Sequence, residues 1–150
     1  MNSRIKNVIY IFLPLVLGTI IGLLISTDSY KILAKPPLSP PGWLFPIMWS
    51  IIYLLMGISY YLLKKENNTD QDVDKVYYSQ LIVNLLWSII FFSFKLYFLS
   101  CLWILLLDIL IIFMINNFLK RNKTSAYLNI PYFIWCLFAT YLTIGIYVLN

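Results

Sequence analysis

Five long stretches of this 150-residue chain carry almost no charge, and no other feature restricts its fold as strongly. Asn7 to Thr27, Pro36 to Leu63, Val76 to Phe94 and Thr124 to Asn150 contain no Asp, Glu, Lys or Arg, and Leu96 to Leu119 contains only Asp108. A bilayer core about 30 Å thick takes roughly 20 residues of helix. Each stretch is long enough if some tilt is allowed. None alternates strictly between apolar and polar residues, which argues against the strands of a barrel. Charged residues make up 11% of the chain, against roughly 25% in a soluble domain, so it lacks the polar surface to coat itself in water. The reading is an all-α integral membrane protein: a single-domain bundle of five transmembrane helices near residues 7–26, 41–63, 76–95, 98–119 and 124–148.

Arg4 and Lys6 precede the first apolar run. That run is too long for a signal-peptide core and no small-x-small cleavage site follows it, so it is expected to be retained. Pro36, Pro37, Pro40 and Pro41 predict a stiff, non-helical first connection. Lys64 to Lys75 (KKENNTDQDVDK) is expected to be a solvated loop and nothing more. Arg4, Lys6, Lys64, Lys65, Lys75, Lys120, Arg121 and Lys123 fall on one side of such a bundle; Lys31, Lys35 and Lys95 fall on the other. For insertion into a cytoplasmic-type membrane, this asymmetry places the N-terminus in the cytoplasm. The net charge of +5 suits anionic lipid headgroups. No basic stripe with interleaved aromatics lies outside the spans, which argues against nucleic acid.

Soluble-style catalytic constellations are missing from the sequence. It has no histidine, no nucleotide-binding glycine loop and no nucleophile–base pair. Cys101 and Cys136 lack metal or redox spacing. Neither a metal nor a resident cofactor is expected.

The aromatic residues are more informative. Trp43 suits a membrane interface, but Trp49, Trp87 and Trp135 lie deep in predicted spans, where an indole N–H needs a partner or a cavity. Phe45, Trp49 and Tyr53 share one face of the second helix. Asn84, Trp87 and Phe91 share a face of the third, and Trp135, Phe138, Ala139 and Leu142 one of the fifth. Periodicity alone leaves two readings open: the stripes pack the core, or they enclose a pocket for a flat apolar ligand. Asn84 either joins helices or holds a ligand's polar group. Asp108 is expected to be neutral and bonded to a neighbouring helix. Gly18 and Gly22 form a small-xxx-small pattern suited to close packing.

The segment Lys35-Pro36-Pro37-Leu38-Ser39-Pro40-Pro41-Gly42-Trp43-Leu44-Phe45-Pro46-Ile47-Met48-Trp49, with Tyr53-Leu54-Leu55-Met56-Gly57, closely resembles the translocator protein family, whose bacterial members are called tryptophan-rich sensory proteins. Gln80 to Trp87 with Phe91-Phe92, and Pro131 to Trp135 with Phe138-Ala139-Thr140, resemble that family's third and fifth helices. The resemblance implies a five-helix bundle, often a homodimer. It implies a pocket under the first loop for porphyrins, heme-like tetrapyrroles and synthetic isoquinoline carboxamides or benzodiazepines. Carried over by position, Trp49 and Trp135 match tryptophans linked to light- and oxygen-dependent porphyrin breakdown. Tyr30, Pro40, Phe45, Tyr53, Asn84, Trp87, Ala139 and Leu142 match the pocket wall, so the resemblance selects the stripes found above.

Three departures stand out. Ser29 and Thr143 replace residues common in the family, and Val148-Leu149-Asn150 after Tyr147 has no Lys or Arg of the proposed sterol motif. Receptor or sensor is the leading expectation, with a porphyrin-degrading activity and a transporter as alternatives. No inverted repeat supports the transporter.

Overall fold

The computed structural model describes residues 2–150, and all its regular structure is helical. Seven α-helices follow in order: α1 (Ser3–Leu24), α2 (Asp28–Ile32), α3 (Leu44–Lys65), α4 (Gln71–Ser88), α5 (Tyr97–Leu119), α6 (Lys123–Tyr127) and α7 (Ile130–Leu149). A π-helical turn, Ile89–Ser93, extends α4. Five helical segments are long and apolar enough to cross a membrane: α1, α3, α4 with its π turn, α5, and α6 running on into α7. The outward face of α5 exposes Leu102, Leu105, Leu106, Ile109, Ile112 and Phe113, the apolar surface that lipid tails accept.

The closest backbone packing joins α1 to α3, and α5 to both α4 and α7. Sparse contacts of α1 with α4 and of α3 with α7 close the ring. Two local features let α1 and α3 approach. Pro14 has no N–H to give the Tyr10 carbonyl one turn earlier. Gly57 of α3 faces that stretch, and a Cβ there would overlap the Ile11 carbonyl and press on that of Tyr10. A second glycine, Gly145 of α7, seats Pro36 of the first connection in the same way.

Two expectations for the connections are corrected. The first is not wholly non-helical, since Asp28–Ile32 forms one turn before the prolines act. The second is more than a solvated loop. Asp70 caps α4 by accepting from the Val73 amide at 3.0 Å, so the helix begins five residues earlier than the apolar pattern indicates. Upstream, Asn67 adopts a left-handed φ of 52°, which Asn tolerates. Its amide donates to Lys64 O and that of Asn68 to Leu63 O, closing the end of α3 with a Schellman turn.

This segment is also clasped to the turn between α5 and α6. Arg121 pairs with Asp70 at 2.5 Å, Asn68 Nδ2 donates to Arg121 O at 3.0 Å, and Asn122 donates to Glu66 at 3.0 Å. The Val73 amide, then Arg121, hold the Asp70 carboxyl below its usual range.

The polar residues inside the spans join helices. Trp103 Nε1 of α5 donates to Val83 O of α4 at 2.8 Å. Thr140 of α7 bonds Asp108 of α5 at 2.6 Å.

Candidate ligand-binding site

At the end of the bundle under the first connection, α3 stands off from α4 and α7, and aromatic rings occupy the interval. Phe45, Trp49 and Tyr53 project from successive turns of α3, as their spacing requires. The Trp49 and Tyr53 rings stack at 5.6 Å. From α7, Trp135 meets Trp49 edge-on at 6.4 Å and Phe45 at 6.1 Å, and Tyr132 meets Trp49 at 6.4 Å. Phe138 lies tilted beside Trp135 at 5.6 Å. Ala139 and Leu142, buried one and two turns further along α7, continue that face.

Beside these rings opens a cleft of about 320 Å³. Phe45, Pro46, Trp49, Ser50 and Tyr53 form one wall, Gly18, Thr19 and Gly22 of α1 another, and Ser88 and Phe92 its floor. No residue between Asp28 and Leu44 lines the cleft. Its size falls in the range of small-molecule sites.

The connection is a fixed roof. Tyr30, buried from α2, packs edge-on to Phe45 at 5.1 Å and donates to Pro40 O at 2.8 Å. Burial pushes the Tyr30 phenol up, so it stays a neutral donor. Tyr141 donates to Pro37 O at 2.7 Å. The Asn150 amide forks onto Ala34, accepting from its N–H at 3.1 Å and donating to its C=O at 2.8 Å.

Asn84 of α4 lies behind the α3 wall. It accepts from the Tyr53 hydroxyl at 2.5 Å and donates to the Tyr132 hydroxyl at 2.8 Å. Tyr132 in turn donates to Gln80 at 2.7 Å. Three spans are thereby joined at one buried amide, as intramembrane Asn commonly does. Trp87 is buried and stacks on Phe91 at 5.2 Å. It lies behind Phe92 rather than in the cleft wall. Ser88, the last residue of α4, and Phe92, inside the π turn, line the cleft instead.

The sequence reading therefore missed Phe92, Ser88, Gly18, Gly22 and Tyr132. Tyr132 carried a local signal, one turn before Trp135 on the same face, and Gly18 and Gly22 carried one that pointed to helix packing instead. The indole N–H groups of Trp87 and Trp135 make no hydrogen bond among the described residues, although both nitrogens are buried. Among those residues no group of His, Cys, Asp or Glu is placed to hold a metal ion.

A family model described as the TspO/MBR family matches residues 10–149. The tryptophan-rich protein TspO of Archaeoglobus fulgidus is 38% identical over 81% of this chain and 79% of its own length. The protein of the same name in Bacillus cereus is 31% identical over 100% of both. The tryptophan-rich sensory protein of Cereibacter sphaeroides is 28% identical over 79% of this chain and 75% of its own.

Proposed function

The chain belongs to the TspO/MBR family and is a multi-pass integral membrane protein, and on that premise we propose that it is a receptor or sensor for flat, conjugated, apolar molecules. Porphyrins such as protoporphyrin IX and heme-like tetrapyrroles are the leading class, with isoquinoline carboxamides and benzodiazepines as synthetic occupants. One observation carries the reading: three aromatic rings, Phe45, Trp49 and Tyr53, line one cleft, and Trp135 of α7 packs edge-on against two of them with a buried indole N–H that has no partner among the described residues. Rings so arranged stack on a conjugated macrocycle. The names of the relatives, tryptophan-rich and sensory, support the same reading.

The test is a protoporphyrin titration of the detergent-purified protein, read by quenching of its tryptophan fluorescence. Saturable quenching is expected, weakened in the double variant Trp49→Phe, Trp135→Phe. Linear quenching equal to that of indole in empty micelles overturns the reading.

The edge-to-face pair Trp49–Trp135 favours a second reading, light- and oxygen-dependent breakdown of the bound porphyrin. Indoles in ring contact with an excited porphyrin are positioned to give it an electron. Porphyrin loss under illumination, slowed in the double variant, is expected; equal loss in both proteins contradicts it.

Assembly as a homodimer and insertion with the start of α1 in the cytoplasm belong to the same proposal. Native mass spectrometry and cysteine accessibility from each side of the membrane test them.

A further inference from the structure

We propose that buried aromatic and hydrogen-bonded side chains carry oxidising equivalents from the cleft to a tyrosine–carboxylate pair, Tyr60 and Asp74, at the opposite end of the bundle. The inference rests on the photochemical reading above. The route begins at Trp135 and Trp49 and passes to Tyr53 and Tyr132, both in ring contact with Trp49. Tyr132 donates to Gln80, which donates to Met56 Sδ at 3.4 Å and to Tyr77 O at 2.8 Å. Tyr53, Met56 and Tyr60 stand on one face of α3, at i, i+3 and i+7, and all are buried. The Tyr77 ring lies flat on Tyr60 at 4.0 Å with 5° between planes. Tyr10 and Tyr78 meet Tyr60 edge-on at 5.7 and 5.6 Å.

Proton chemistry sets the terminus. A phenol gives up an electron readily only if its proton has somewhere to go. The hydroxyls of Tyr53 and Tyr132 donate to side-chain amides, which do not take a proton. Tyr60 donates to the carboxylate of Asp74, which does. Among the described residues it is the one tyrosine bonded to a carboxylate. The Asp74 side chain is 37% exposed and lies 3.3 Å from Lys64, so a proton placed there can leave to water.

The step balances as follows. Excited porphyrin takes one electron from Trp49 and passes it to dioxygen, giving superoxide and a tryptophan radical cation. An electron from Tyr60 refills the indole, and the phenolic proton moves to Asp74. This leaves a neutral tyrosyl radical and a carboxylic acid. A thiol in the adjoining water gives a hydrogen atom to Tyr60, becoming a thiyl radical, while Asp74 releases its proton. The net reaction is one-electron oxidation of a thiol by dioxygen. The relay spares the cleft tryptophans from being consumed, which makes turnover repeatable.

The test uses the full chain in detergent, loaded with protoporphyrin, illuminated in air and frozen for electron paramagnetic resonance, with porphyrin bleaching followed in parallel. A tyrosyl signal in the wild type is expected, quenched by glutathione. It is lost in Tyr60→Phe, which keeps the ring stack, and in Asp74→Asn, which keeps a hydrogen-bond acceptor. Tryptophan oxidation, read by mass spectrometry, rises in both variants. Bleaching with an indole signal alone, or a tyrosyl signal unchanged in both variants, overturns the relay and leaves the photochemical reading intact. A wild type with neither bleaching nor a protein radical overturns both.

Discussion

The two ends of this bundle hold their helices by opposite means. Under the roof, Phe45, Trp49, Tyr53, Trp135 and Phe92 separate α3 from α4 and α7, and the buried indole nitrogens of Trp87 and Trp135 have no partner among the described residues. At the other end, Asp70–Arg121, Glu66–Asn122 and the Asn68–Arg121 bond clasp the connections, and the cap and Schellman turn satisfy the helix ends. Between them lies the Tyr53–Asn84–Tyr132–Gln80 chain, where neutral polar groups replace lipid-like packing. Large rings at a helix interface prevent close backbone approach and leave a cleft, whereas glycine and satisfied polar groups close it. The end proposed to bind a ligand is the one in which packing is incomplete.

Changes to the closed parts should cost stability and changes to the open part should not. The largest effect is expected for Gly57→Val, whose side chain meets the Ile11 backbone. Overpacking against a carbonyl that cannot move aside costs about 3 kcal/mol, read as a lower melting temperature in detergent. Asn84→Ala follows. It strands the Tyr53 and Tyr132 hydroxyls, at a cost of roughly 1–2 kcal/mol by thermal unfolding. A smaller gain is expected in the roof. Leu38 has a φ of 68°, a region that strains a branched side chain, and Leu38→Gly should stabilise by about 1 kcal/mol.

The smallest effect is a pH dependence at the clasp. The Asp70 carboxyl is held low in the folded protein by the Val73 amide and then Arg121. Its contribution is complete above the ordinary aspartate value and is lost as pH falls below about 3.9. An acid limb in the melting profile that flattens in Asp70→Asn checks this.

How much of this is legible in the sequence depends on the range of the interaction. The spans are legible because charge exclusion from a bilayer acts residue by residue. The α3 and α7 stripes are legible because they follow helix periodicity. The start of α4 was hidden by its polar first turn, although Asp70 followed by Asp72 and Asp74 is a recognisable cap with acidic residues near the helix N-terminus. The π turn has no periodic signature, so Phe92 took the place expected for the Trp87 stripe. The fit of Gly57 to the Pro14 turn, and the partners of Asn84, join residues far apart in the chain, and no local pattern predicts them. Family resemblance, rather than periodicity, turned the aromatic stripes from core into candidate pocket.

Gly22 offers the most direct test of the central claim that the cleft is a ligand site. It lines the cleft, and a Cβ built there meets nothing within 4 Å, so Gly22→Phe fills the opening without forcing helices apart. Thermal unfolding of both proteins should be measured with and without protoporphyrin. At about 100 times the dissociation constant a ligand stabilises by ~2.7 kcal/mol. The account predicts a stabilised wild type, and a variant that melts with the unliganded wild type whether or not protoporphyrin is present. Equal stabilisation of both proteins, or none in the wild type, would contradict it.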